Sequence, residues 1–318
     1  MPQHPVPPSD LAGLVAAFAQ TVTAVVELGR GCSAADFARP TECPGWNVQD
    51  QVSHIASLES VFAGEPPLPV TVPDLPHVRS EFGRFMEAGV HARRAWTGAR
   101  VVEELAELVP GRVAALSDPS LTLDSIIDSA IGPRPAGAFV ALRVSDVWCH
   151  EQDIRAALGM PLALDTPGAA VFTSRVLDAL PVIVARDAAL PVGTTVVVEV
   201  VGPVSGSAAV RVQVGEDGRP LGVQLDGASQ SLGAGADGAG RDGAAGAGTD
   251  DTTGAGTDGA TGAGTDGATR TATTRITLST EAFTRRGAGR RDVDATRHTV
   301  VGDPAVARAV LEHLAITP

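Results

Sequence analysis

The chain has no lysine and no tyrosine, and aromatic residues make up only 3% of its 318 residues. All 24 basic residues are therefore arginines, and 37 acidic residues give a formal net charge of −13. A net charge of this sign argues against non-specific binding to nucleic acids or anionic membranes. We expect neither a nucleic-acid partner nor a membrane partner.

Cysteine is also scarce, with three residues at positions 32, 43 and 149. An odd number without metal-type spacing argues against a disulfide framework and indicates a reducing compartment. The first residues lack the basic and apolar segments of a secretory signal. The uncharged run over residues 11–26 is interrupted by polar side chains and is short for a bilayer span. We therefore expect a cytoplasmic protein.

The N-terminal half has the spacing of apolar residues that is typical of amphipathic helices. The pattern predicts a helix from Ser9 to about residue 31 and a second one that begins at an Asn47 cap with Asp50 three residues later. A third helical stretch covers residues 78–96 and continues over 101–116 with a break at Pro110, and a fourth helix covers 137–158. Four main helices joined by proline- and glycine-rich loops predict an antiparallel four-helix bundle in residues 1–160.

Residues 161–318 have a mixed pattern of helices and strands, which predicts a small α+β domain. A helix over residues 166–186 precedes several segments that are rich in β-branched residues. The expected strands cover residues 194–201, 208–214, 221–225 and 273–278, and the expected final helix covers residues 304–314.

An insert of low complexity at about residues 226–269 interrupts the predicted α+β domain. Gly-Ala-Gly-Thr-Asp recurs at positions 246, 254 and 262, and the insert contains seven aspartates and one arginine. Because it has almost no large apolar side chain, it cannot bury a core, and we expect it to be disordered. It also lacks the apolar residue that each turn of a calcium-binding glycine repeat requires.

One spacing in the fourth helix points to chemistry. Asp146 and His150 are four residues apart, so they lie on the same helical face. They can bind one metal ion together, and His54 in the second helix can provide a third ligand across the bundle. Two imidazoles and a carboxylate leave an open coordination position, which suits catalytic Zn²⁺ or non-haem Fe²⁺. The alternative is a surface Asp146–His150 pair and a half-buried His54.

Two segments resemble the signatures of the mycothiol-dependent maleylpyruvate isomerase family. They are residues 43–54 (CPGWNVQDQVSH) and residues 146–155 (DVWCHEQDIR). The resemblance covers most of residues 9–160 and continues more weakly around residues 289–292 and 302–304. It implies a DinB-like metal-binding bundle followed by a sterol-carrier-like C-terminal domain.

The resemblance also implies roles for individual residues. The three metal ligands of the family fall on His54, Asp146 and His150, although the enzyme that gives the family its name has glutamate where this chain has Asp146. Arg290 and Arg291 match a segment whose arginine binds the substrate carboxylate in the family, and a solvated basic turn remains the alternative. No residue is assigned to the binding of mycothiol.

The implied cofactors are Zn²⁺ or another divalent metal, with mycothiol as the thiol cosubstrate. In the family reaction, a zinc-activated thiolate adds to the cis double bond of maleylpyruvate, the new single bond rotates, and elimination gives fumarylpyruvate. Two other functions stay open: a mycothiol S-transferase that acts on electrophiles, and a non-catalytic bundle that binds metal or thiol or has a regulatory partner. The oligomeric state and the true substrate are open too.

Five further residues have simpler interpretations. Cys43 and Cys149 are expected to be packed thiols, and Trp46 and Trp148 to be core residues or pocket walls. Asp153 is expected to contact the metal ligands or another helix, or else to be exposed on the surface.

Overall fold

The computed structural model describes residues 4–225 and 273–317. The described helices are α1 (Leu11–Arg30), α2 (Ala34–Phe37), α3 (Val48–Phe62), α4 (Glu81–His91), α5 (Gly98–Leu116), α6 (Ala136–Ala157), α7 (Pro167–Val182), α8 (Thr280–Gly287) and α9 (Pro304–Glu312). The strands are β1 (Ile126–Ile127), β2 (Arg134–Pro135), β3 (Thr195–Val201), β4 (Gly206–Val214), β5 (Pro220–Gln224), β6 (Thr273–Ser279) and β7 (His298–Val301). The predicted insert at 226–269 lies outside the described residues.

Local capping explains where the first long helices begin. Asn47 and Asp50 form the predicted capping box at the start of α3, in which each side chain accepts a hydrogen bond from the other residue's backbone N–H. Helix α1 is capped by Asp10 and not by Ser9, because the Asp10 carboxylate accepts the Gly13 N–H at 2.7 Å.

Two of the predicted helix boundaries are wrong. The predicted break at Pro110 does not occur, because α5 continues through this proline to Leu116. Proline removes one backbone donor, but buried residues Val101, Leu105 and Leu116 hold the helix against its neighbours on both sides of it. The predicted helix over residues 78–96 is shorter, because Ser80 caps its start and α4 ends at His91.

The N-terminal region is a helical domain built on its four longest helices. Helix α1 packs against α5 and α6, and α3 packs against the same two helices. Their apolar faces form one buried cluster that includes Phe18, Val52, Leu105 and Val144. This packing holds the middle of α3 beside the middle of α6.

The C-terminal region contains a mixed five-stranded sheet with the strand order β5-β4-β3-β6-β7. The central pair β3–β6 is parallel, and the other pairs are antiparallel. Helices α7, α8 and α9 pack on this sheet around a second buried cluster. The prediction of a helical domain followed by an α+β domain is therefore confirmed, whereas α8 and β7 were not predicted.

Two described helical segments, Leu11–Arg30 and Pro167–Asp187, are long and apolar enough to cross a membrane. Both carry residues of the buried clusters, Phe18 and Val22 in the first and Phe172 and Leu180 in the second. Core helices of soluble proteins pass the same test of length and composition, so these segments are weak evidence for a membrane protein.

Candidate metal centre

The structure brings three predicted side chains together between α3 and α6. His54 projects from α3, and Asp146 and His150 project from one face of α6. One ligand atom from each lies within 4.8 Å of the other two. This His/Asp/His group is hereafter called the triad.

The triad is mostly enclosed. The Nε2 atom of His54 lies 3.3 Å from Oδ2 of Asp146, and Nε2 of His150 lies 3.6 Å from Oδ1 of the same carboxylate. Both histidine side chains are buried, whereas the Asp146 side chain is 25% exposed. The carboxylate therefore approaches both imidazoles, whose ring centroids lie 4.6 Å apart, and keeps some contact with solvent.

One atom of the triad has no ordinary partner. The buried Nε2 of His54 makes no hydrogen bond of proper geometry within the described part of the chain. A buried polar atom of this kind is costly unless a ligand satisfies it. Burial also lowers the pKa of His54 despite the opposing charge of Asp146, so the neutral imidazole with a free lone pair is favoured. A donor set of two imidazoles and one carboxylate fits a divalent ion such as Zn²⁺.

The charges of the other two members are set by their neighbours. Burial alone would raise the pKa of Asp146, but Arg143 and the two histidines hold it well below its usual range. Burial alone would lower the pKa of His150, but the adjacent carboxylates of Asp146 and Asp153 raise it. Asp146 is therefore anionic, which is the charge state that a metal-binding carboxylate requires.

A second layer of contacts orients His150. Its Nδ1–H donates to Oε1 of Gln51 on α3, and Oδ2 of Asp153 lies 3.6 Å from the same nitrogen. Gln51 is fixed in turn because its amide donates to Thr41 Oγ1 at 2.7 Å. Partners on one ring nitrogen direct the other nitrogen towards a metal. Asp153 is fully buried and not on the surface, and Gln51 was not predicted.

The Trp46 side chain packs beside the two histidines of the triad. Its ring centroid lies 5.0 Å from that of His54 and 5.8 Å from that of His150. Its Nε1–H donates at 2.8 Å to Glu87, a buried carboxylate of α4 that also lies 3.0 Å from Nε2 of His77. Gly45 allows this turn, because it adopts a φ of +79° and an added Cβ would lie 2.3 Å from the His77 ring.

The two predicted arginines lie at the contact between the helical and α+β domains. The side chain of Arg290 is 5% exposed and pairs with Asp153 at 3.0 Å. Arg291 is 30% exposed, and it pairs with Glu281 at 2.9 Å and approaches Glu42 at 3.7 Å.

A third arginine, Arg285, was not predicted and joins this cluster. It is almost fully buried, donates to Asp153 at 2.6 Å and also pairs with Glu42. The α+β domain thereby contacts the same aspartate that flanks His150.

Cys43, Cys149 and Trp148 contribute to packing. Burial raises the pKa of Cys43 to about 11 and raises that of Cys149 further, so neither is a reactive thiolate at neutral pH. Trp148 stacks on Phe172 with ring centroids 5.5 Å apart, and its indole N–H donates to the Ala163 carbonyl. These residues belong to the packing around the triad and not to its chemistry.

The fold and the site together describe a protein with a helical domain followed by an α+β domain. The helical domain carries a His/Asp/His group of the type that holds a divalent ion. Residues 18–155 match the family model described as the mycothiol maleylpyruvate isomerase N-terminal domain. The match covers most of the helical domain and agrees with the resemblance that the two sequence segments carry. The matched range contains all three members of the triad.

Two solved structures are similar over nearly the whole chain. One is a crystal structure of the mycothiol-dependent maleylpyruvate isomerase, with 13% identity and a TM-score of 0.49. The other is a histidine-to-alanine mutant of that enzyme, with 12% identity and the same score. Each alignment covers 91% of this chain and 92% of the other. No curated protein matches the chain by sequence.

Proposed function

We propose that this protein is a mycothiol-dependent metalloenzyme that acts as a maleylpyruvate isomerase. Its metal ligands are His54, Asp146 and His150, and its cosubstrate is mycothiol. The observation that carries the proposal is the buried Nε2 of His54, which makes no hydrogen bond of proper geometry within the described residues and lies 3.3 Å from the Asp146 carboxylate, in a region that matches the model of this family.

A divalent metal bound here would supply Lewis acidity that lowers the pKa of a thiol ligand towards neutrality. The chain's own residues prepare the site for it. Gln51 and Asp153 fix the ring of His150, and Trp46 packs beside both imidazoles. Burial raises the pKa values of the Cys43 and Cys149 thiols, so these two residues are poor nucleophiles, and the proposed nucleophile is the thiol of the cosubstrate.

The packing of the helices supports a more specific proposal for the fold of each domain. We infer from the contacts of α1 and α3 with both α5 and α6 that residues 1–160 form a DinB-like four-helix bundle. The sterol-carrier-like domain then occupies residues 161–318. We further propose that the protein is a cytoplasmic enzyme with small-molecule substrates.

We also propose that the arginines of the α+β domain bind the substrate carboxylate. Arg291 is the better placed of the two for direct contact, because the side chain of Arg290 is buried against Asp153 whereas that of Arg291 is partly exposed. An arginine fork suits a carboxylate.

Arg291→Ala should raise KM for maleylpyruvate with little change in kcat, because a contact that is equal in the ground and transition states affects binding alone. Steady-state kinetics at saturating mycothiol measure this effect. Arg308→Ala, which removes an exposed arginine of α9, is the control and should change neither constant. A fall in kcat without a change in KM for Arg291→Ala would contradict the assignment.

The proposed reaction is tested by incubating the zinc-loaded protein with maleylpyruvate and mycothiol. We expect fumarylpyruvate to form at a rate that needs both thiol and metal, while the mycothiol concentration stays constant because the thiol is released in each cycle. Chelation of the metal should abolish turnover.

Two results would contradict isomerisation. Stoichiometric consumption of mycothiol with a conjugated product would indicate a thiol transferase. Bound metal and thiol without turnover of maleylpyruvate or other electrophiles would indicate a non-catalytic protein.

A further inference from the structure

A chain of buried ion pairs runs from the core of the helical domain to the triad. Glu59 of α3 is fully buried, and its Oε1 accepts from Nε of Arg143 at 2.9 Å and lies 2.8 Å from Nη2 of the same residue. The remaining guanidinium nitrogen of Arg143, Nη1, donates to Oδ2 of Asp146 at 2.8 Å. The guanidinium group of Arg143 therefore bridges Glu59 and Asp146, which is a member of the triad.

Arg143 has little freedom to move. Its side chain is 2% exposed, and Glu59 is held from the other side by Arg112, whose Nε donates to Oε2 at 2.9 Å. Arg112 is anchored by a further bond to the Phe62 carbonyl at 3.0 Å. Both carboxylate oxygens of Glu59 therefore accept hydrogen bonds from arginines, and Nη1 of Arg143 is held towards Asp146.

Asp146, in contrast, is the partly exposed member of the triad. It is one methylene shorter than glutamate, and Arg143 lies one helical turn before it on α6. Without this donor its carboxylate could turn towards solvent and away from the imidazoles.

We propose that Arg143, held by Glu59, is a positioning residue that fixes the Asp146 carboxylate in the orientation that completes the metal site. The inference rests on the proposed metal site and extends it to residues outside the triad. Contacts to ligating carboxylates of this kind commonly govern metal affinity.

The test uses substitutions that keep the positive charge and remove the fork. In Arg143→Lys, one ammonium group cannot reproduce the set of bonds to both Glu59 and Asp146. Competition with a chromophoric chelator should show zinc affinity weakened by about 10–100-fold. The visible spectrum of the cobalt-loaded variant should also change, because its carboxylate ligand is displaced.

Arg112→Lys is the matched control, because it disturbs the same Glu59 without a contact to Asp146. It should leave the zinc affinity and the cobalt spectrum close to those of the wild type. Glu59→Gln, which loosens Arg143 by removing its charged anchor, should weaken zinc binding in the same direction as Arg143→Lys and serves if that variant does not fold.

Unchanged zinc affinity in a folded Arg143→Lys or Glu59→Gln protein would overturn the inference and leave the proposed function standing. Equal losses in Arg143→Lys and Arg112→Lys would also overturn it, since they would indicate a general effect of a disturbed core. Failure of the wild-type protein to bind metal would instead overturn the proposed function and this inference together.

Discussion

His150→Ala should deprive the protein of its metal. The wild type is expected to contain about one zinc-like ion per chain, as a catalytic site with three protein ligands does. Removing one imidazole leaves two ligands, so affinity should fall by more than the 10–100-fold that is typical of losing an outer contact, on the order of 100-fold or beyond. Elemental analysis after gel filtration measures the occupancy directly, and His54→Ala should have the same effect.

His313→Ala is the matched control for these two variants. His313 is an exposed histidine that follows α9, and its Nδ1 contacts a backbone carbonyl of that helix. Its loss should leave the metal content unchanged. Full metal content in both His54→Ala and His150→Ala would show that the triad is not the binding site.

Asp153→Ala should destabilise the fold by about 3–5 kcal/mol, which is the cost typical of removing one partner from a buried ion pair. Asp153 is fully buried and receives hydrogen bonds from Arg285 and Arg290. Without the carboxylate, two buried guanidinium groups would lose a partner at the contact between the domains. Urea unfolding at neutral pH of the metal-free protein measures the change without a contribution from bound metal.

Asp294→Ala is the control for Asp153→Ala. Asp294 pairs with Arg308, and the two side chains are 82% and 56% exposed. Exposed pairs of this kind contribute about 0–1 kcal/mol. A loss of similar size in both variants would mean that Asp153 does not hold the two domains together.

Local signals in the sequence were sufficient for much of the helical domain. The capping box of Asn47 and Asp50 fixed the start of α3, and the four-residue spacing placed Asp146 and His150 on one face of α6. Pro110 was misinterpreted for a physical reason: a missing backbone donor is a local cost, whereas the packing that outweighs it is tertiary.

The contacts around the triad could not be predicted in the same way, because they join distant parts of the chain. Glu59 and Arg143 are 84 residues apart, and Asp153 and Arg285 are 132 residues apart. A lone glutamate on an amphipathic helix is usually solvated, and nothing in its neighbours shows that it is buried. The parallel pairing of β3 with β6 is equally non-local, since it joins strands on either side of the insert.

Calorimetric titration with mycothiol tests the central claim most directly, because it asks whether the triad creates a thiol site through a metal. Mycothiol should bind the zinc-loaded protein at one site per chain, and it should bind neither the metal-free protein nor His150→Ala. S-methyl mycothiol, which carries no ionisable thiol, should bind the zinc-loaded protein much more weakly. Equal binding of mycothiol to the zinc-loaded and metal-free proteins would contradict the account.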